Sequence, residues 1–511
     1  MIRISDQKKY LFLAFLSGFI VMATELIATR IVAPYIGVSI FTWTAIISTI
    51  LLGISIGNYF GGRLADKGAS LTLHLISGAI FIAIIPLLAR FTPLVATLNL
   101  DIIFIALLVA ILLFLGPAIL LGTIYPFILK HVLSPQNLTH AGEYAGLLSA
   151  LAALGSIAGT LATGFFFIGF LGSSLSLHIL ALILFASSLW LERTISKTVI
   201  LGAVAMATLL LIQYALPPSH RQNILFETES PYYKIRVTEG LFQGQQSRML
   251  FLDFDSHSLE GINGKHLGTY QDISPIFKIF HNNLRHILTI GSGSYNIAKD
   301  LSRLYHADVT AVEIDPKVTE IARTFFDLNA YPIHAITADG RFYLETTKNT
   351  YDLIFGDAFN SFISMPWYLA TKEANDTAKA RLNPGGIYAL SVISALKGTQ
   401  AELFNSVAKT FSLSFPNYYI IPLAGNDDSI QNIILIGINS DKHINQQDLT
   451  AELSTLTKQR NFRRQLTYWY QPDIPAHATM LTDDYAPVER LNAPLIKRYL
   501  PAYTKWFYST L

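Results

Sequence analysis

Four consecutive hydrophobic segments between residues 286 and 360 constrain this chain most, because each has the pattern of a buried strand and ends in glycine or a carboxylate. They are HILTIGSGSY, ADVTAVEIDP, HAITADGRFY and YDLIFGDAFN, with helical patterns at 296–304 and 316–327 between the first three. Alternation of strands and helices predicts a parallel sheet with helices on both faces. Ligands of such sheets bind at the carboxyl ends of the strands. The four segments therefore predict a nucleoside-binding α/β domain.

The flanking sequence extends this domain in both directions. A fifth strand pattern at 386–393 follows a helical pattern at 372–382. Strand patterns at 418–423 and 432–438 lie too close together for a helix between them, so they predict an antiparallel hairpin at the sheet edge. Upstream, short strand patterns with glycine turns within 224–268 predict a small β subdomain.

The first 216 residues differ in composition, because long apolar stretches dominate them. The whole chain is 51% hydrophobic and 14% charged, whereas soluble proteins carry about 25% charged residues. A helix that spans a membrane needs about 20 mostly apolar residues. Seven stretches have this length, namely 10–33, 40–60, 71–90, 101–129, 143–170, 174–191 and 197–216. We therefore expect a multi-pass α-helical membrane domain.

These patterns divide the chain into four expected domains. Residues 1–216 form a transmembrane domain of about seven helices, and residues 217–283 form the small β subdomain. Residues 284–445 form a Rossmann-like catalytic domain, and residues 446–511 form a helical and loop extension.

Lysine and arginine are unevenly distributed among the short loops of the apolar region, and such a bias sets the orientation of a protein in the membrane. The loops on the N-terminal side hold Arg3, Lys8, Lys9, Arg63, Lys67, Lys130, Arg193 and Lys197. We therefore expect an integral protein of the plasma (inner) membrane with a cytoplasmic N-terminus. Seven crossings would place the C-terminal domain outside. The side of this domain stays open, because the stretches at 71–100 and 197–216 allow a different count.

Glycines and carboxylates at the strand ends are the candidate ligand-binding residues. Gly291, Ser292 and Gly293 end the first strand, where glycine lets the backbone approach a ligand and the next helix offers its N–H groups. Glu313 ends the second strand, where a carboxylate accepts hydrogen bonds from the ribose hydroxyls. Asp339 ends the third strand, where it can accept from an adenine amino group or cap the following helix.

Asp357 ends the fourth strand, at the opening where ligands of such sheets bind. The spacing favours a cofactor of the S-adenosylmethionine type over a dinucleotide, because no second phosphate-binding half follows. Asn296 also stands where a dinucleotide fingerprint has its third glycine. The chain has no P-loop sequence, so ATP hydrolysis is not expected.

Together with Ala338-Asp339-Gly340-Arg341, these residues resemble the spermidine synthase (polyamine aminopropyltransferase) family over about 225–440. The resemblance implies a domain of the class I S-adenosylmethionine-dependent transferase type, preceded by a small β subdomain. It implies decarboxylated S-adenosylmethionine as co-substrate and no metal. It also implies that Asp357 deprotonates the attacking amine and that Tyr270 flanks the amine and the sulfonium.

The chain departs from the family at three places that bear on the substrate. Gln271 and Asp272 stand where the family has His-Glu, and they are candidate substrate-binding residues. Asn360, also a candidate, replaces a second aspartate that helps to hold the diamine. The segment 291–295 carries serines and tyrosine where the family has glycines and an aspartate. The acceptor amine, and whether the donor is decarboxylated, therefore stay open.

The whole chain resembles membrane-fused spermidine synthase-like proteins, in which a half-transporter-like region precedes the synthase. The matching stretches include GRLADK at 62–67, GTIYP at 122–126 and LTDDYAPVE at 481–489. The resemblance implies a lipid bilayer as partner and a small-molecule substrate of the polyamine kind.

We expect a membrane-bound transferase that moves an aminopropyl-type group from decarboxylated or intact S-adenosylmethionine to an amine and releases methylthioadenosine. The alternatives are a lyase or cyclase that releases methylthioadenosine from S-adenosylmethionine without an acceptor, and a transporter or sensor of polyamines or adenosyl compounds. A methyltransferase fits the core but not the β subdomain.

Glu25 supports the transport hypothesis, because a carboxylate inside a spanning helix is costly and is a functional candidate. A bundle of seven spans would dimerise to form a path, so a homo-oligomer is expected. The net charge of +2 gives no reason to expect nucleic acid, and the absence of cysteine excludes disulfides and thiolate chemistry.

Overall fold

The computed structural model describes residues 4–133, 138–192, 196–215, 223–242, 244–262, 270–358, 362–363, 365–424, 429–441, 443–460 and 469–510. The chain divides into two compact units. The first unit comprises Met1–Gln222, Thr228–Lys234 and Thr504–Leu511, and the second comprises Asn223–Glu227 and Ile235–Tyr503.

The first unit is built from helices, as its apolar stretches predict. Its helices are α1 Ile4–Ile36, α2 Ile40–Asp66, α3 Leu71–Ala89, α4 Thr92–Ala96, α5 Ile102–Ala110, α6 Gly116–Val132, α7 Ala141–Ala162, α8 Ser173–Leu191 and α9 Lys197–Ala215. A π-helical turn, Ile111–Leu115, joins α5 to α6, and a second one, Thr163–Leu171, extends α7. Among the described residues, seven helices are long and apolar enough to cross a membrane, and they coincide with the seven stretches expected from the sequence.

Glycines let two pairs of these helices pack closely. A β-carbon at Gly57 in α2 would lie 2.1 Å from the Ile119 carbonyl oxygen in α6. A β-carbon at Gly155 in α7 would lie 1.9 Å from the Phe15 carbonyl oxygen in α1. Small residues at such positions let the backbones of two helices approach closely.

The small β subdomain is a four-stranded meander in the order β1-β2-β3-β4. Its strands are β1 Ile224–Glu229, β2 Lys234–Phe242, β3 Gln245–Leu252 and β4 Asp255–Gly261. The sequence predicts the first three strands but not β4, because DSHSLEG has almost no apolar alternation. Pairing with β3 makes this polar segment a strand.

The second unit contains a seven-stranded sheet in the order β10-β11-β9-β8-β5-β6-β7. Its strands are β5 His286–Ile290, β6 Asp308–Glu313, β7 Ile333–Thr337, β8 Tyr351–Gly356, β9 Leu382–Ser394, β10 Tyr418–Pro422 and β11 Gln431–Ile438. Strands β5 to β9 are parallel. Strands β10 and β11 form an antiparallel hairpin at one edge. The predicted α/β class is confirmed.

Helices cover both faces of this sheet. They are α10 Phe277–Phe280, α11 Asn296–Tyr305, α12 Pro316–Phe325, α13 Gly340–Thr346, α14 Lys372–Ala380, α15 Glu402–Ser414, α16 Gln446–Arg460 and α17 Val488–Thr510. Side chains alternate between two cores along the buried strands. Ile287 and Phe355 face one core, whereas Leu288 and Ile354 face the other.

Replacing Gly57 by leucine is expected to destabilise the helical unit, because the new side chain would overlap the Ile119 backbone. Overpacking of this kind costs about 1–3 kcal/mol or more. Gly62 lies in the same helix with nothing within 4 Å of its β-carbon position, so Gly62→Leu is the matched control. Thermal unfolding of the detergent-solubilised protein measures the effect. Equal melting temperatures for the two variants would contradict the close packing of α2 and α6.

Candidate functional site

The candidate site lies where the strand order of the large sheet reverses. The chain proceeds from β5 to β6 and β7 on one side, and from β8 to β9 on the other, so β5 and β8 are neighbours at the switch point. Ligands of open α/β sheets bind beyond the carboxyl ends of the strands at this point. The glycine loop, defined as residues 291–295, follows β5, and Asp357 follows β8. The structure therefore brings these two predicted elements together.

The glycine loop depends on backbone conformations that favour glycine. Gly291 has φ of +81°, and a β-carbon there would lie 2.5 Å from the Asp357 carbonyl oxygen. Gly293 has φ of +49°. Tyr295 also has a positive φ, 63°, although it is not glycine. Its buried ring is held by a 2.7 Å hydrogen bond between its hydroxyl and that of Thr319.

Glu313, the last residue of β6, is hydrogen-bonded to this loop. Its carboxylate accepts a hydrogen bond from the Ser292 N–H at 3.0 Å and another from the Asp315 N–H at 3.1 Å. Burial raises the pKa of Glu313, and these N–H donors oppose the increase. The predicted contact with ribose hydroxyls stays a prediction.

Asp339 caps α13, accepting a hydrogen bond from the Phe342 N–H at 2.9 Å. A β-carbon at the next residue, Gly340, would lie 2.2 Å from Ile290 Cγ2. This contact places the start of α13 against the end of β5. Asp339 therefore makes the helix cap that the sequence allowed, and its predicted contact with an adenine amino group stays a prediction.

An apolar pocket opens beside these residues, between the ends of the central strands and the segment before α14. Its lining residues are Ile290, Gly356, Ala358, Met365, Pro366, Leu369, Tyr388 and Leu390. The apolar walls of this pocket favour an apolar group over a charged one.

Asp357 lies partly buried near the hydroxyls of Tyr270 and Ser391. Burial raises the pKa of Asp357 to about 7, and the two hydroxyls oppose that increase because they favour the charged carboxylate. Neither hydroxyl has a hydrogen-bond partner of standard geometry in the described part of the chain. We therefore treat them as nearby dipoles rather than as short hydrogen bonds. Burial and the nearby Asp357 also raise the pKa of Tyr270 well above its ordinary value, so its phenol stays protonated near neutral pH.

The structure gives less information about four other residues that the sequence predicts to be functional. The backbones of Gln271 and Asp272 lie in a short 3₁₀ turn, Gln271–Ile276, but their side chains are outside the described part of the structure. Asn360 lies outside the described residues. Glu25 lies in α1, and none of the described residues hydrogen bonds or pairs with it. Its neighbour Thr24 lines a small cavity that is otherwise apolar.

Sequence reasoning missed the support that β4 gives to the glycine loop. The Ser258 hydroxyl accepts a hydrogen bond from the Ser294 N–H at 3.1 Å. Lys299 of α11 donates to both carboxylate oxygens of Glu260, at 3.0 and 2.8 Å, and to the Phe326 carbonyl oxygen at 2.8 Å. This ion pair is almost completely buried. Because β4 lacks an apolar pattern, the sequence gives no sign of these contacts.

Ser391 was also missed, although a serine inside the apolar run YALSVI is an unusual feature that could have signalled it. The LTDDYAPVE segment, in contrast, is structural. Asp483 pairs with Arg341 at 2.9 Å and accepts from the Thr371 hydroxyl at 2.7 Å. Asp483 therefore ties the segment to the start of α13.

The structure places a glycine loop and a titratable carboxyl at the switch point of an α/β sheet. Comparison with known proteins indicates the family that this part of the chain resembles. Residues 269–427 match the family described as the spermine/spermidine synthase domain. A probable polyamine aminopropyl transferase of Bifidobacterium longum is 28% identical over 302 residues, covering 54% of this chain and 64% of that protein. A polyamine aminopropyltransferase of Corynebacterium efficiens is 25% identical over 323 residues, covering 60% of this chain and 56% of that protein.

This chain thus spans less than two thirds of the length of these curated relatives. Among solved structures, a probable spermidine synthase from Corynebacterium glutamicum aligns with a TM-score of 0.44 and 18% identity, covering 51% of this chain and 97% of that one. The predicted resemblance to the spermidine synthase family is confirmed over residues 269–427, and this match supports an enzyme of this type.

Replacing Lys299 by methionine is expected to lower the free energy of unfolding of this domain by about 3–5 kcal/mol, because the Glu260 carboxylate would stay buried without its partner. Lys317→Met, which removes a partly exposed lysine that pairs with Glu320, is the control. Chemical denaturation followed by circular dichroism measures both. A similar loss of free energy of unfolding in the two variants would show that burial of the Lys299–Glu260 pair has no effect on stability.

Proposed function

We propose that this protein transfers an alkyl group from an adenosyl sulfonium donor to an amine and releases methylthioadenosine. The observation that carries the proposal is Asp357, a carboxyl whose pKa is raised to about 7. It lies at the switch point of a spermine/spermidine synthase domain, beside the glycine loop.

The described residues fit the nucleoside part of such a donor. The apolar pocket around Ile290 and Leu369 would hold the adenine ring, with Asp339 near its amino group. Glu313 would accept hydrogen bonds from the ribose, because its carboxylate is hydrogen-bonded to the Ser292 N–H of the glycine loop. The sulfonium would then lie between the glycine loop and Asp357.

The reaction requires the protein mainly to align the amine with the donor carbon and to remove a proton from the amine. A neutral amine nitrogen attacks the carbon next to the sulfonium, the carbon–sulfur bond breaks, and the sulfur keeps the electron pair as methylthioadenosine leaves. The proton lost by the amine goes to Asp357, whose pKa near 7 matches the needs of a general base at neutral pH. The Tyr270 hydroxyl, which stays protonated, would orient the carboxylate or the amine.

We also propose that the helical unit is inserted in a lipid bilayer and that the protein acts at a membrane. Seven described helices have sufficient length and apolarity. Their ends carry the lysines and arginines that predict a cytoplasmic N-terminus.

Replacing Asp357 by asparagine is expected to lower kcat by about 10²–10⁴-fold, because the general base is lost. The wild-type rate should rise with pH and level off above about 7, as the carboxyl loses its proton. Mass spectrometry of methylthioadenosine formed from sulfonium donor and amine at each pH measures both effects. Asp376→Asn, which changes an exposed aspartate in α14, is the control. Full activity of Asp357→Asn would rule out Asp357 as the base.

The membrane topology can be tested with single cysteines, because the chain contains none. Thr139, between α6 and α7, and Asn99, between α4 and α5, are exposed residues at opposite ends of the expected spans. In intact cells, an impermeant maleimide should label Asn99→Cys but not Thr139→Cys, whereas both should react after permeabilisation. Equal labelling of the two in intact cells would contradict the expected spans. Labelling of Lys348→Cys, in the synthase domain, then reports the side of that domain.

A further inference from the structure

The start of α11 carries buried polar atoms that the proposed nucleoside contacts do not use. Ser294 is fully buried, and its hydroxyl has no hydrogen-bond partner among the described residues. Asn296 is 5% exposed, and both the oxygen and the nitrogen of its side-chain amide lack a partner in the same set. Folded proteins pair nearly all buried polar side-chain atoms. These two residues, which lie within three positions of each other, are therefore candidates to pair with a polar group of a ligand.

These atoms coincide with a helix N-terminus that no side chain caps. Helix α11 has ten residues, and its N-cap residue Tyr295 uses its hydroxyl for Thr319 instead. The first N–H groups of a helix have no partner within the helix, and with the helix dipole they favour an anion. The hydroxyl of Ser294 and the amide nitrogen of Asn296 can add two donors to these N–H groups.

The hydrogen bond that holds the Ser294 end of the loop goes to a neutral group. Ser258 accepts the Ser294 N–H, and the backbone and β-carbon of His257 lie beside Gly293. The carboxylate of Glu313 takes the Ser292 N–H, at the opposite end of the loop. Residues 292–296 themselves are Ser, Gly, Ser, Tyr and Asn, all neutral.

We propose that this donor-rich end of the loop binds the α-carboxylate of the donor, so that the substrate is S-adenosylmethionine itself rather than its decarboxylated form. The inference rests on the proposed function, in which adenine and ribose occupy the pocket around Ile290 and the Glu313 carboxylate. The amino-acid end of the donor then extends toward Ser294 and Asn296. Their donors bind a carboxylate, which the decarboxylated donor lacks.

The group transferred is then 3-amino-3-carboxypropyl. The acceptor nitrogen forms a bond to the γ-carbon of the methionine part, and the bond from that carbon to sulfur breaks. The sulfur keeps the electron pair and leaves as neutral methylthioadenosine, while Asp357 takes the proton of the amine. Ser294 and Asn296 are specificity-determining residues in this scheme and take no part in the bond changes.

Isothermal titration calorimetry of the full-length protein in detergent, with three ligands, tests this inference. Methylthioadenosine, which lacks the amino-acid end, measures the nucleoside site alone. S-adenosylmethionine is expected to bind at least about tenfold more tightly than its decarboxylated form, since charge-assisted hydrogen bonds are worth this much. Equal or tighter binding of the decarboxylated form would overturn the inference. Failure of methylthioadenosine to bind would overturn the proposed function as well.

Two substitutions make the test specific to the loop. Asn296→Asp adds a negative charge and should reverse the preference, whereas Ser294→Ala removes one donor and should reduce it several-fold. Both should retain the wild-type affinity for methylthioadenosine, which also shows that they fold. Asn349→Asp, a change of the same kind at an exposed position, should leave the preference unchanged. A preference that is the same in both loop variants as in wild type would contradict the assignment.

Discussion

The backbone contact between Gly291 and Asp357 fixes the geometry on which the candidate site depends. A β-carbon at Gly291 would lie 2.5 Å from the Asp357 carbonyl oxygen. The Asp357 N–H in turn donates to the Ile290 carbonyl oxygen at 2.8 Å. The glycine loop and the backbone of Asp357 are therefore held by main-chain atoms at the ends of two neighbouring parallel strands. Transfer from a sulfonium donor depends chiefly on the alignment of nucleophile and carbon, so this rigid junction is suited to it.

Two buried carboxyls near this junction differ because their surroundings differ. Glu313 accepts hydrogen bonds from two backbone N–H groups, whereas the polar groups that act on Asp357 among the described residues are the hydroxyls of Tyr270 and Ser391. Donors that are fixed in place favour the charged form, and burial without them favours the neutral form. Glu313 is thus suited to bind, and Asp357 to exchange a proton near pH 7. The raised pKa of Asp357 makes the stability of the folded protein depend on pH. The stability that protonated Asp357 contributes is present at low pH and is lost as pH rises through about 7.

The sequence predicted those parts of the structure whose signal is local. Buried strands such as β5 and β8, the glycines that follow β5 and the long apolar helices all depend on residue patterns within one segment. Strand β4 could not be predicted in this way, because its polar residues become a strand only by pairing with β3. The Lys299–Glu260 pair and the position of Ser391 depend on contacts between segments far apart in the chain. Such contacts leave no periodic pattern in the sequence.

At the glycine loop, one set of residues determines the backbone conformation and another set determines the chemical groups that are offered to a ligand. Gly291 and Gly293 supply the positive φ angles and the close backbone approach, and they contribute no side chain to a ligand. Tyr295 adopts a similar φ at a cost of about 1 kcal/mol, offset by burial of its ring and the hydrogen bond to Thr319. The chemical character is instead set by Ser294 and Asn296, where the backbone imposes no demand for glycine. The end of a donor that the loop recognises can therefore differ between chains that share this fold, because residues 294 and 296 can change while the backbone junction at Gly291 stays the same.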